Sequence, residues 1–498
     1  MERRPAVSLR GKASGAKAET RQTNGRKLKT VIVGAGFTGL QLARFLSEGG
    51  AEVSLVENDP VRARVAREQV DCAVLEADGN DPATLAAAGI ARADALVALT
   101  DGDEMNLITC ALAEADFPDV LKIARVRNYA YYERTLPRPV FGIDCMVNPD
   151  VEAAEAICRA AAHGAVGNVL DLGGGRGVLE LSVGAGSLLD GIARRDLPAR
   201  AGRHLLVAWI EKQDRAVLPD GSASLSSGDR IGVVVRDPGE IASLAALAGE
   251  PPAESPRGVV VFGADLAGRL VAGKLLGSDG ADLSGFMRRF GVRRRRPSIT
   301  VVDPSETLCR EASASLPGAR VLRGDFTDDA FLRDEALDSC DLAVFASPDR
   351  AANLVMAAYL KSRGAKRTIA LAESAAFGGV ARKLGVDVSV PLRDTVVDSI
   401  SGRLRGRRVR SVHSVCNRSL EIVEFDLSSG VPAAGKPLRD LSVPGEYLML
   451  LFRAPGAESF DVPTGDTVVL PGSGAVVAAS AGSQRVAKLF GWGPGASA

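Results

Sequence analysis

The sequence predicts an α/β protein in which one open parallel-sheet unit occurs twice, each time followed by a smaller strand-rich segment. In the first half of the chain, short apolar strands alternate with helical patterns, as expected for parallel βαβ units. The same order of elements returns in the second half with similar residues at corresponding positions. A repeat of this kind indicates duplication of a whole folding unit.

The first unit begins with an apolar strand at residues 30–33, which leads directly into the turn GAGFTG at 34–39 and a helical pattern. Further strands are predicted at 53–57, 73–77 and 95–100, with a helix before each of them. This alternation favours an open α/β sheet with helices on both faces.

The second unit repeats the first with a fixed spacing. The segment RGVVVFGADLAG at 257–268 corresponds to LKTVIVGAGFTG at 28–39. Three later pairs lie a constant 247 positions apart, namely Asp78 and Asp325, Asp94 and Asp341, and Asn106 and Asn353. The two turn segments that precede these pairs, at 28–39 and 257–268, lie only 229 positions apart. We therefore expect the second unit to carry an insertion of about 18 residues between Leu276 and Pro297.

Each unit is followed by a segment of short apolar strands separated by turn-forming residues, at about 168–250 and 409–490. The stretch GEPPAESPR at 249–257 is predicted to link the two halves, since proline and glycine there resist both helix and sheet.

Composition excludes several classes of protein. The 498 residues include 61 basic and 61 acidic side chains, so nothing in the overall charge favours nucleic acid or an anionic membrane as the main partner. No apolar stretch approaches the length of a transmembrane helix, and the basic, polar N-terminus is expected to be a disordered tail rather than a secretion signal. Scattered cysteines and three isolated histidines predict neither a disulfide framework nor a metal site.

The turn at 34–39 has the spacing of a dinucleotide-binding loop. Gly34 permits a tight turn, Gly36 lets the backbone approach phosphates without a Cβ, and Gly39 lets the helix pack closely on the sheet. Glu57 ends the next strand, where its carboxylate can accept both ribose hydroxyls and would repel a 2′-phosphate. We therefore predict a site for NAD or an adenine nucleotide rather than NADP, the alternative being that the glycines serve only helix–strand packing.

The second unit retains only part of this pattern. Asp265 stands where the middle glycine is expected, so its side chain would block close approach and its charge would repel a phosphate. Asp303 keeps the acidic position at the end of the second strand. We expect this second site to be degenerate.

No catalytic group is evident beside the predicted nucleotide site. A dehydrogenase needs a proton donor or acceptor such as His, Lys or Tyr next to the hydride acceptor. The segment ARVRNYAYYER at 124–134 contains tyrosines but no Tyr-x-x-x-Lys pair, and no Walker loop is present. These features favour a nucleotide sensor over an enzyme, with an NAD-dependent oxidoreductase as the alternative.

The chain resembles the TrkA-type regulatory subunits of bacterial Trk potassium uptake systems, which contain two RCK (regulator of potassium conductance) modules. The resemblance extends over nearly everything after residue 28. The motifs that carry it are VIVGAGFTG, VEND, EADGND, ALTDGDEMNL (98–107), KIARVRN (122–128), IDCMVNPDVEAAEAI (143–157) and VSVPLRDTVVDSISGRLRG (388–406).

The resemblance implies tandem Rossmann-like RCK N-type domains, each followed by a small α+β C-type subdomain. The implied division is a basic tail at 1–28, a nucleotide-binding N-type domain at 29–150, a C-type subdomain at 151–250, a degenerate N-type domain at 257–395 with the insertion at 277–296, and a C-type subdomain at 396–498.

Carried over residue by residue, the resemblance implies a site for NAD or NADH, with ATP or ADP as further candidates. The residues concerned are Gly34, Ala35, Gly36, Phe37, Thr38 and Gly39 in the phosphate loop, Glu57 and Asn58 after the second strand, Asp78 and Gly79 near the adenine, Leu99, Thr100 and Asp101 in the cleft, and Arg125 toward the phosphates. Leu371 stands where the first copy has Arg125, which adds to the doubt about the second site.

The family's role implies a cytoplasmic protein, peripheral to the inner face of the cell membrane, that gates an integral-membrane potassium translocation subunit and assembles as a tetramer. A nucleotide sensor for another ion transporter is the alternative. The insertion carries MRRFGVRRRR at 287–296, which we interpret either as a solvated loop or as a contact with anionic lipid.

Overall fold

The structure, a computed structural model, describes residues 27–133, 141–162, 169–172, 176–197, 205–212, 215–219, 223–236, 240–249, 256–277, 297–404, 409–415, 419–443, 445–457, 459–481 and 483–491. The predicted basic tail up to residue 26 and the insertion from 278 to 296, including the arginine-rich run, lie outside the described residues. Within the described ranges, no helix is both long and apolar enough to cross a membrane.

The first unit is a six-stranded parallel sheet. Its strands are β1 (Lys29–Val33), β2 (Glu52–Glu57), β3 (Ala73–Glu76), β4 (Ala95–Ala98), β5 (Leu121–Arg125) and β6 (Cys145–Val147). They lie in the order β3-β2-β1-β4-β5-β6. Strand β1 therefore has β2 on one side and β4 on the other, and the crevice outside the carboxyl ends of strands at such a switch point is where ligands bind in open α/β sheets.

Helices cover both faces of this sheet, which explains why its central strands are continuous apolar runs. The helices are α1 (Phe37–Glu48), α2 (Pro60–Gln69), α3 (Pro82–Ala87), α4 (Asp103–Asp116) and α5 (Tyr129–Glu133), and α6 (Pro149–Ala162) follows the last strand. The side chains of Asp59 and Asp81 accept hydrogen bonds from the first-turn amides of α2 and α3. An acidic N-cap followed by proline is a strong signal for a helix start.

A small antiparallel sheet comes next. Its strands are β7 (Val169–Asp171), β8 (Gly177–Ser182), β9 (Val207–Lys212), β10 (Arg215–Val217) and β11 (Arg230–Val235), in the order β10-β9-β11-β8-β7, and α7 (Glu240–Ala248) follows them. Strands, turns and one helix thus form the compact segment that the sequence predicts after the first unit.

The second unit repeats the first. Its strands are β12 (Gly258–Phe262), β13 (Ser298–Asp303), β14 (Arg320–Arg323), β15 (Leu342–Phe345), β16 (Arg367–Ala372) and β17 (Val388–Pro391), in the parallel order β14-β13-β12-β15-β16-β17. Its helices are α8 (Leu266–Leu276), α9 (Glu306–Ser315), α10 (Asp329–Asp334), α11 (Arg350–Arg363), α12 (Ala375–Lys383) and α13 (Leu392–Leu404).

A second small antiparallel sheet ends the described chain. It contains β18 (Val409–Val415), β19 (Leu420–Asp426), β20 (Tyr447–Arg453) and β21 (Gly474–Ser480) in the order β18-β19-β21-β20, with helices α14 (Leu438–Leu441) and α15 (Gln484–Phe490). One apolar cluster joins the two small sheets, since Val178 and Trp209 of the first are buried with Ile422 and Leu450 of the second.

The duplication extends to individual hydrogen bonds. An Asp94 carboxylate oxygen accepts from the Lys29 amide at 2.8 Å, and the matching Asp341 oxygen accepts from the Arg257 amide at 2.7 Å. Both carboxylates hold the first strand of their unit to the fourth. The predicted α/β fold with two tandem parallel sheets is confirmed.

Each half contributes one helix to the core of the other. In α6, Ala154, Ile157 and Cys158 are buried in the cluster that includes Val259 and Val271 of the second unit. In α13, four apolar side chains are buried in the cluster of the first unit: Val396, Val397, Ile400 and Leu404. The predicted boundaries after residues 150 and 395 fall inside these two helices, and the numbered domain division stays a prediction.

Candidate functional site

The turn between β1 and α1 contains two glycines that the protein itself requires. Gly34 has a φ of +105°, and a Cβ there would lie 2.9 Å from the backbone nitrogen of Thr100. A Cβ on Gly39 would lie 1.9 Å from the carbonyl oxygen of Gly34, so no side-chain movement could relieve the clash. These positions need glycine for a tight turn and for close helix–strand packing.

Gly36 differs, because no protein atom requires glycine there. Its φ of −62° and ψ of 176° suit any residue, and a Cβ would meet nothing within 4 Å. Gly36 is the N-cap of α1, and its residue type supplies no side-chain cap for the amides of the first turn. Helix amides without an intrahelical partner, with open space in front of them, are suited to bind a phosphate.

Glu57 holds the phosphate loop through hydrogen bonds. Its Oε2 accepts from the Ala35 amide at 2.6 Å, and its Oε1 accepts from the Asp59 amide at 2.9 Å. The residue is only 6% exposed. A carboxylate oxygen has more than one lone pair, so both oxygens retain acceptor capacity toward a ligand. The predicted ribose acid is therefore also a structural brace for the turn.

Nine of the fourteen predicted residues line a cleft of about 270 Å³ at the carboxyl ends of the strands. Those that line it are Gly34, Gly36, Glu57, Asn58, Asp78, Gly79, Leu99, Thr100 and Asp101. The lining does not include Ala35, Phe37, Thr38, Gly39 or Arg125. Ala35 is 2% exposed and Thr38 is 7% exposed, so these two residues support the loop from inside.

A buried asparagine fixes one wall of this cleft. Asn106 is fully buried, and its Oδ1 accepts from the amide of Thr100 at 2.8 Å and from the Thr100 hydroxyl at 2.7 Å. Its Nδ2 donates to the carbonyl oxygen of Arg125 at 2.8 Å. The ends of β4 and β5 are thereby held in one arrangement, as expected for a satisfied buried polar network.

Three arginines converge on Asp101 at the mouth of the cleft. Arg125 and Arg127 lie 3.0 and 3.1 Å from its Oδ1, and Arg62 lies 3.4 Å from its Oδ2. Burial alone would raise the pKa of Asp101, but the hydrogen bond and charge of Arg125, aided by Arg62 and Arg127, hold it below its usual value. One carboxylate shared by three cations leaves positive charge available to an anionic ligand.

Sequence reasoning missed two of these arginines. Arg62 lines the cleft from α2, and Arg127 lies two positions after Arg125. The signal for Arg62 is its place in the first turn of the helix after the predicted ribose acid. Arg127 belongs to the same extended segment as Arg125, where alternate side chains share a side. The lining also includes Asn80 and Met105, for which no sequence signal was apparent.

The second unit keeps the shape of the turn but fills its anion position with a carboxylate. Gly263 has a φ of +107°, and a Cβ on Gly268 would lie 1.9 Å from the oxygen of Gly263, as in the first unit. Asp265 takes the place of Gly36, and its Oδ1 accepts from the Gly268 amide at 3.1 Å. This side chain occupies a helix amide that a phosphate would use.

Further charges oppose a phosphate in the second unit. Burial raises the pKa of Asp265 to about 6, and the nearby carboxylates of Asp150 and Asp303 contribute, while Arg350 and the Gly268 amide act in the other direction. The carbonyl oxygen of Leu371 accepts a hydrogen bond from Asn353, just as the carbonyl oxygen of Arg125 accepts one from Asn106. Leu371 therefore stands where the first unit has its buried arginine. The third residue after the N-cap is Leu308 here and Arg62 in the first unit.

Metal chemistry has no candidate in the described part of the chain, where no group of three or more His, Cys, Asp and Glu side chains could hold an ion. Burial lowers the pKa of His413 to about 4, with a smaller contribution from the charge of Arg159. His413 lines a space between the two halves together with Arg159 and Trp209.

Both parallel sheets match one domain family. The TrkA-N domain matches residues 30–149 and residues 287–391. The first match includes the glycine turn, whereas the second begins after the turn that carries Asp265.

Relatives match the chain over most of its length. It is 27% identical over 474 residues to Trk system potassium uptake protein TrkA homolog 1 of Methanosarcina mazei, covering 93% of this chain and 100% of the relative. It is also 27% identical over 478 residues to the TrkA protein of Azorhizobium caulinodans, covering 93% and 98%. The chain is thus similar to TrkA proteins along nearly its whole length.

The chain also shares its fold with solved structures. The GsuK RCK domain has a TM-score of 0.52 and 18% identity, covering 93% of this chain and 94% of that one. The GsuK channel bound to NAD has a TM-score of 0.51 and 18% identity, covering 93% and 78%. At this identity the likeness concerns the fold, and it fits the two parallel sheets with their small following sheets.

Proposed function

We propose that the protein is a nucleotide-binding regulatory subunit of a potassium uptake system, acting on the cytoplasmic side of the membrane. The observation that carries this proposal is the cleft in the first unit, which is lined by Gly36 with its uncapped helix amides, by the Glu57 carboxylate and by Arg62. Arg125 and Arg127 add positive charge beside it through their contacts with Asp101. The relatives named as Trk system potassium uptake proteins support the transport role.

The ligand proposed for the cleft is NAD or NADH, with ADP and ATP as further candidates. Glu57 suits the ribose hydroxyls of an adenosine, and the first turn of α1 suits a phosphate. A fold neighbour was solved as a channel bound to NAD, which favours a dinucleotide. The residues of the cleft recognise features that these ligands share, so the ligands are to be ranked by measurement.

We propose one such site per chain. The first unit offers open space at Gly36, whereas Asp265 occupies the equivalent position of the second unit and hydrogen bonds to its helix. A phosphate there would have to displace a side chain in a region that already holds Asp150 and Asp303. The second unit is thus assigned a structural role in this proposal.

Binding rather than catalysis is proposed for the cleft. Two of the three carboxylates that line it are engaged in contacts within the protein, Glu57 with two amides and Asp101 with three arginines. Such engagement fixes the geometry of both carboxylates, which suits recognition of a ligand more than proton transfer.

The proposed partner is an integral-membrane potassium translocation subunit of the Trk type. The proposed assembly is a homotetramer, in which four chains with two units each would form a ring of eight, in keeping with the closed symmetry usual for homo-oligomers. The arginine-rich run at 287–296 is proposed to contact anionic lipid headgroups, the alternative being a solvated loop.

Calorimetric titration of the full-length protein with NAD, NADH, ADP and ATP tests the nucleotide site directly. We expect one binding event per chain for at least one of the four. The absence of heat with all four, or two equal sites per chain, would overturn the proposal. The transport role is tested by potassium uptake in cells that express a Trk membrane subunit with or without this chain.

A further inference from the structure

A cation from the second half of the chain lies beside the phosphate loop of the first unit. The guanidinium carbon of Arg393 is 3.9 Å from the ring centroid of Phe37. Phe37 directly follows Gly36 and begins α1, and its side chain is 41% exposed. The arginine is therefore close to the part of the loop where the first unit leaves helix amides and open space.

The packing of α13 explains why Arg393 is held there. Val396, Val397 and Ile400 on this helix are buried in the core of the first unit together with Leu42 and Ala43 of α1. Arg393 is the second residue of α13, so the start of that helix is fixed next to the start of α1 by apolar contacts. Its amide also donates to the carbonyl oxygen of Glu373 at 3.3 Å.

The equivalent position in the first half has the opposite charge. Asp150 is the second residue of α6, which packs on the second unit as α13 packs on the first. Its carboxylate is close enough to the loop of the second unit to contribute to the raised pKa of Asp265. The loop with open space thus has an arginine beside it, and the loop already filled by Asp265 has a second carboxylate.

We propose that Arg393 is the cationic phosphate contact of the nucleotide site, contributed by the second half of the chain to the cleft of the first. This inference rests on the proposed nucleotide-binding function and adds a residue that sequence reasoning did not single out. The ligand class is an adenine nucleotide with at least one phosphate. The bound phosphate would join the first turn of α1 to the start of α13.

Glu373 modulates this contact. It forms an ion pair with Nη2 of Arg393, and both side chains are about one-third exposed. A guanidinium has five N–H donors, so the pair leaves donors for a phosphate while lowering the net positive charge that the phosphate meets. Removing the carboxylate charge is expected to strengthen phosphate binding, whereas removing the arginine is expected to weaken it.

The test compares ADP with adenosine on full-length protein carrying R393A, R393K or E373Q. We expect R393A to weaken ADP binding about tenfold or more, as for loss of a charge-assisted hydrogen bond. R393K should retain part of the affinity, and E373Q should raise it about two- to threefold, since one opposing charge is removed. Adenosine affinity, measured by competition, should be the same in all variants because adenosine has no phosphate.

The matched control is R310A, which removes an arginine of the same charge from an exposed position on α9 and should leave ADP affinity unchanged. Unchanged ADP affinity in R393A, or equal weakening of ADP and adenosine, would overturn the inference while leaving the proposed function intact. A wild-type protein that binds none of NAD, NADH, ADP and ATP would instead refute the proposed nucleotide function. Lower ADP affinity in E373Q would also overturn the assignment, because the ion pair would then be serving only to join the halves.

Discussion

Oε2 of Glu57 lies 2.6 Å from the backbone nitrogen of Ala35, so the carboxylate predicted to hold a ribose also holds the glycine turn. In the second unit, Oδ2 of Asp303 accepts from the amide of Ala264 at 2.8 Å. The brace is thus present in both copies, although only one copy retains an open phosphate position. A comparison of Glu57 with Asp303 therefore distinguishes the structural role of this carboxylate from its proposed role in binding.

We expect Glu57→Ala and Asp303→Ala to lower the free energy of unfolding by similar amounts, about 1–3 kcal/mol for a lost buried hydrogen-bond partner. Only Glu57→Ala should weaken nucleotide binding, by on the order of 1.5–3 kcal/mol, and relax the exclusion of NADP. Urea unfolding and calorimetric titration measure the two effects. Equal loss of nucleotide affinity in both variants would show that the affinity follows the overall stability of the protein and that Glu57 makes no separate contribution to binding.

Gly36→Asp should abolish nucleotide binding without destabilising the fold, because it reproduces the second unit at a position where a Cβ meets nothing within 4 Å. Gly39→Ala serves as the contrasting variant. Its Cβ would overlap the oxygen of Gly34, so we expect a large loss of stability, of several kcal/mol as for severe steric strain. Nucleotide binding that persists in Gly36→Asp would contradict the assignment of the phosphate position.

Asp265→Asn should change how stability depends on pH. Burial raises the pKa of Asp265 to about 6, above its ordinary value of 3.8, so the folded state binds this proton more tightly than the unfolded chain. Stability therefore falls as pH rises from about 4 to about 6 and stays lowered above that range. The asparagine variant, which still accepts at the N-cap, should match wild type near pH 4 and exceed it at neutral pH by on the order of 2 kcal/mol.

Asp325→Asn provides the control of opposite sign. Hydrogen bonds from the amide and hydroxyl of Thr327 lower the pKa of Asp325, so its contribution to stability is present above the unfolded pKa and is lost as pH falls through the folded pKa. This variant should therefore be less stable than wild type at neutral pH. Urea unfolding near pH 4 and at neutral pH distinguishes the two variants. If wild type and both variants show the same dependence of stability on pH, the ionised Asp265 carboxylate does not destabilise the folded protein.

The exchanged helices predict that the two halves unfold together. Ile400 of α13 is fully buried in the first unit, and Ile157 of α6 is fully buried in the second. Alanine at either position should lower the free energy of unfolding by about 2–5 kcal/mol within a single transition. Two transitions, of which each variant shifts only one, would show that the halves are independent.

Local patterns made much of this predictable. Asp94 and Asp341 correspond in the two repeats, and each accepts a hydrogen bond from an amide at the start of the first strand of its sheet. The substitution of Asp265 for Gly36 indicated a filled phosphate position, which the hydrogen bond to Gly268 explains. These features depend on residues close in sequence or on a period that the sequence displays.

Contacts between distant segments were not predictable in the same way. The apolar face of α13 shows that the helix packs against something, but periodicity does not say which unit receives it. The approach of Arg393 to Phe37 and the convergence of Arg62 and Arg127 on Asp101 depend on how three or more elements meet. Such contacts follow from topology, which a single sequence does not encode as a local pattern.

The exchange of α6 and α13 has a consequence for biosynthesis. The first unit is translated long before α13. The apolar surface formed by Leu42 and Leu46 therefore stays uncovered by α13 while the rest of the chain is synthesised. At about 5–20 residues per second, that interval is on the order of tens of seconds. The nascent chain thus leaves the ribosome with an apolar groove uncovered, where a chaperone or the α13 of another copy can bind before its own helix arrives.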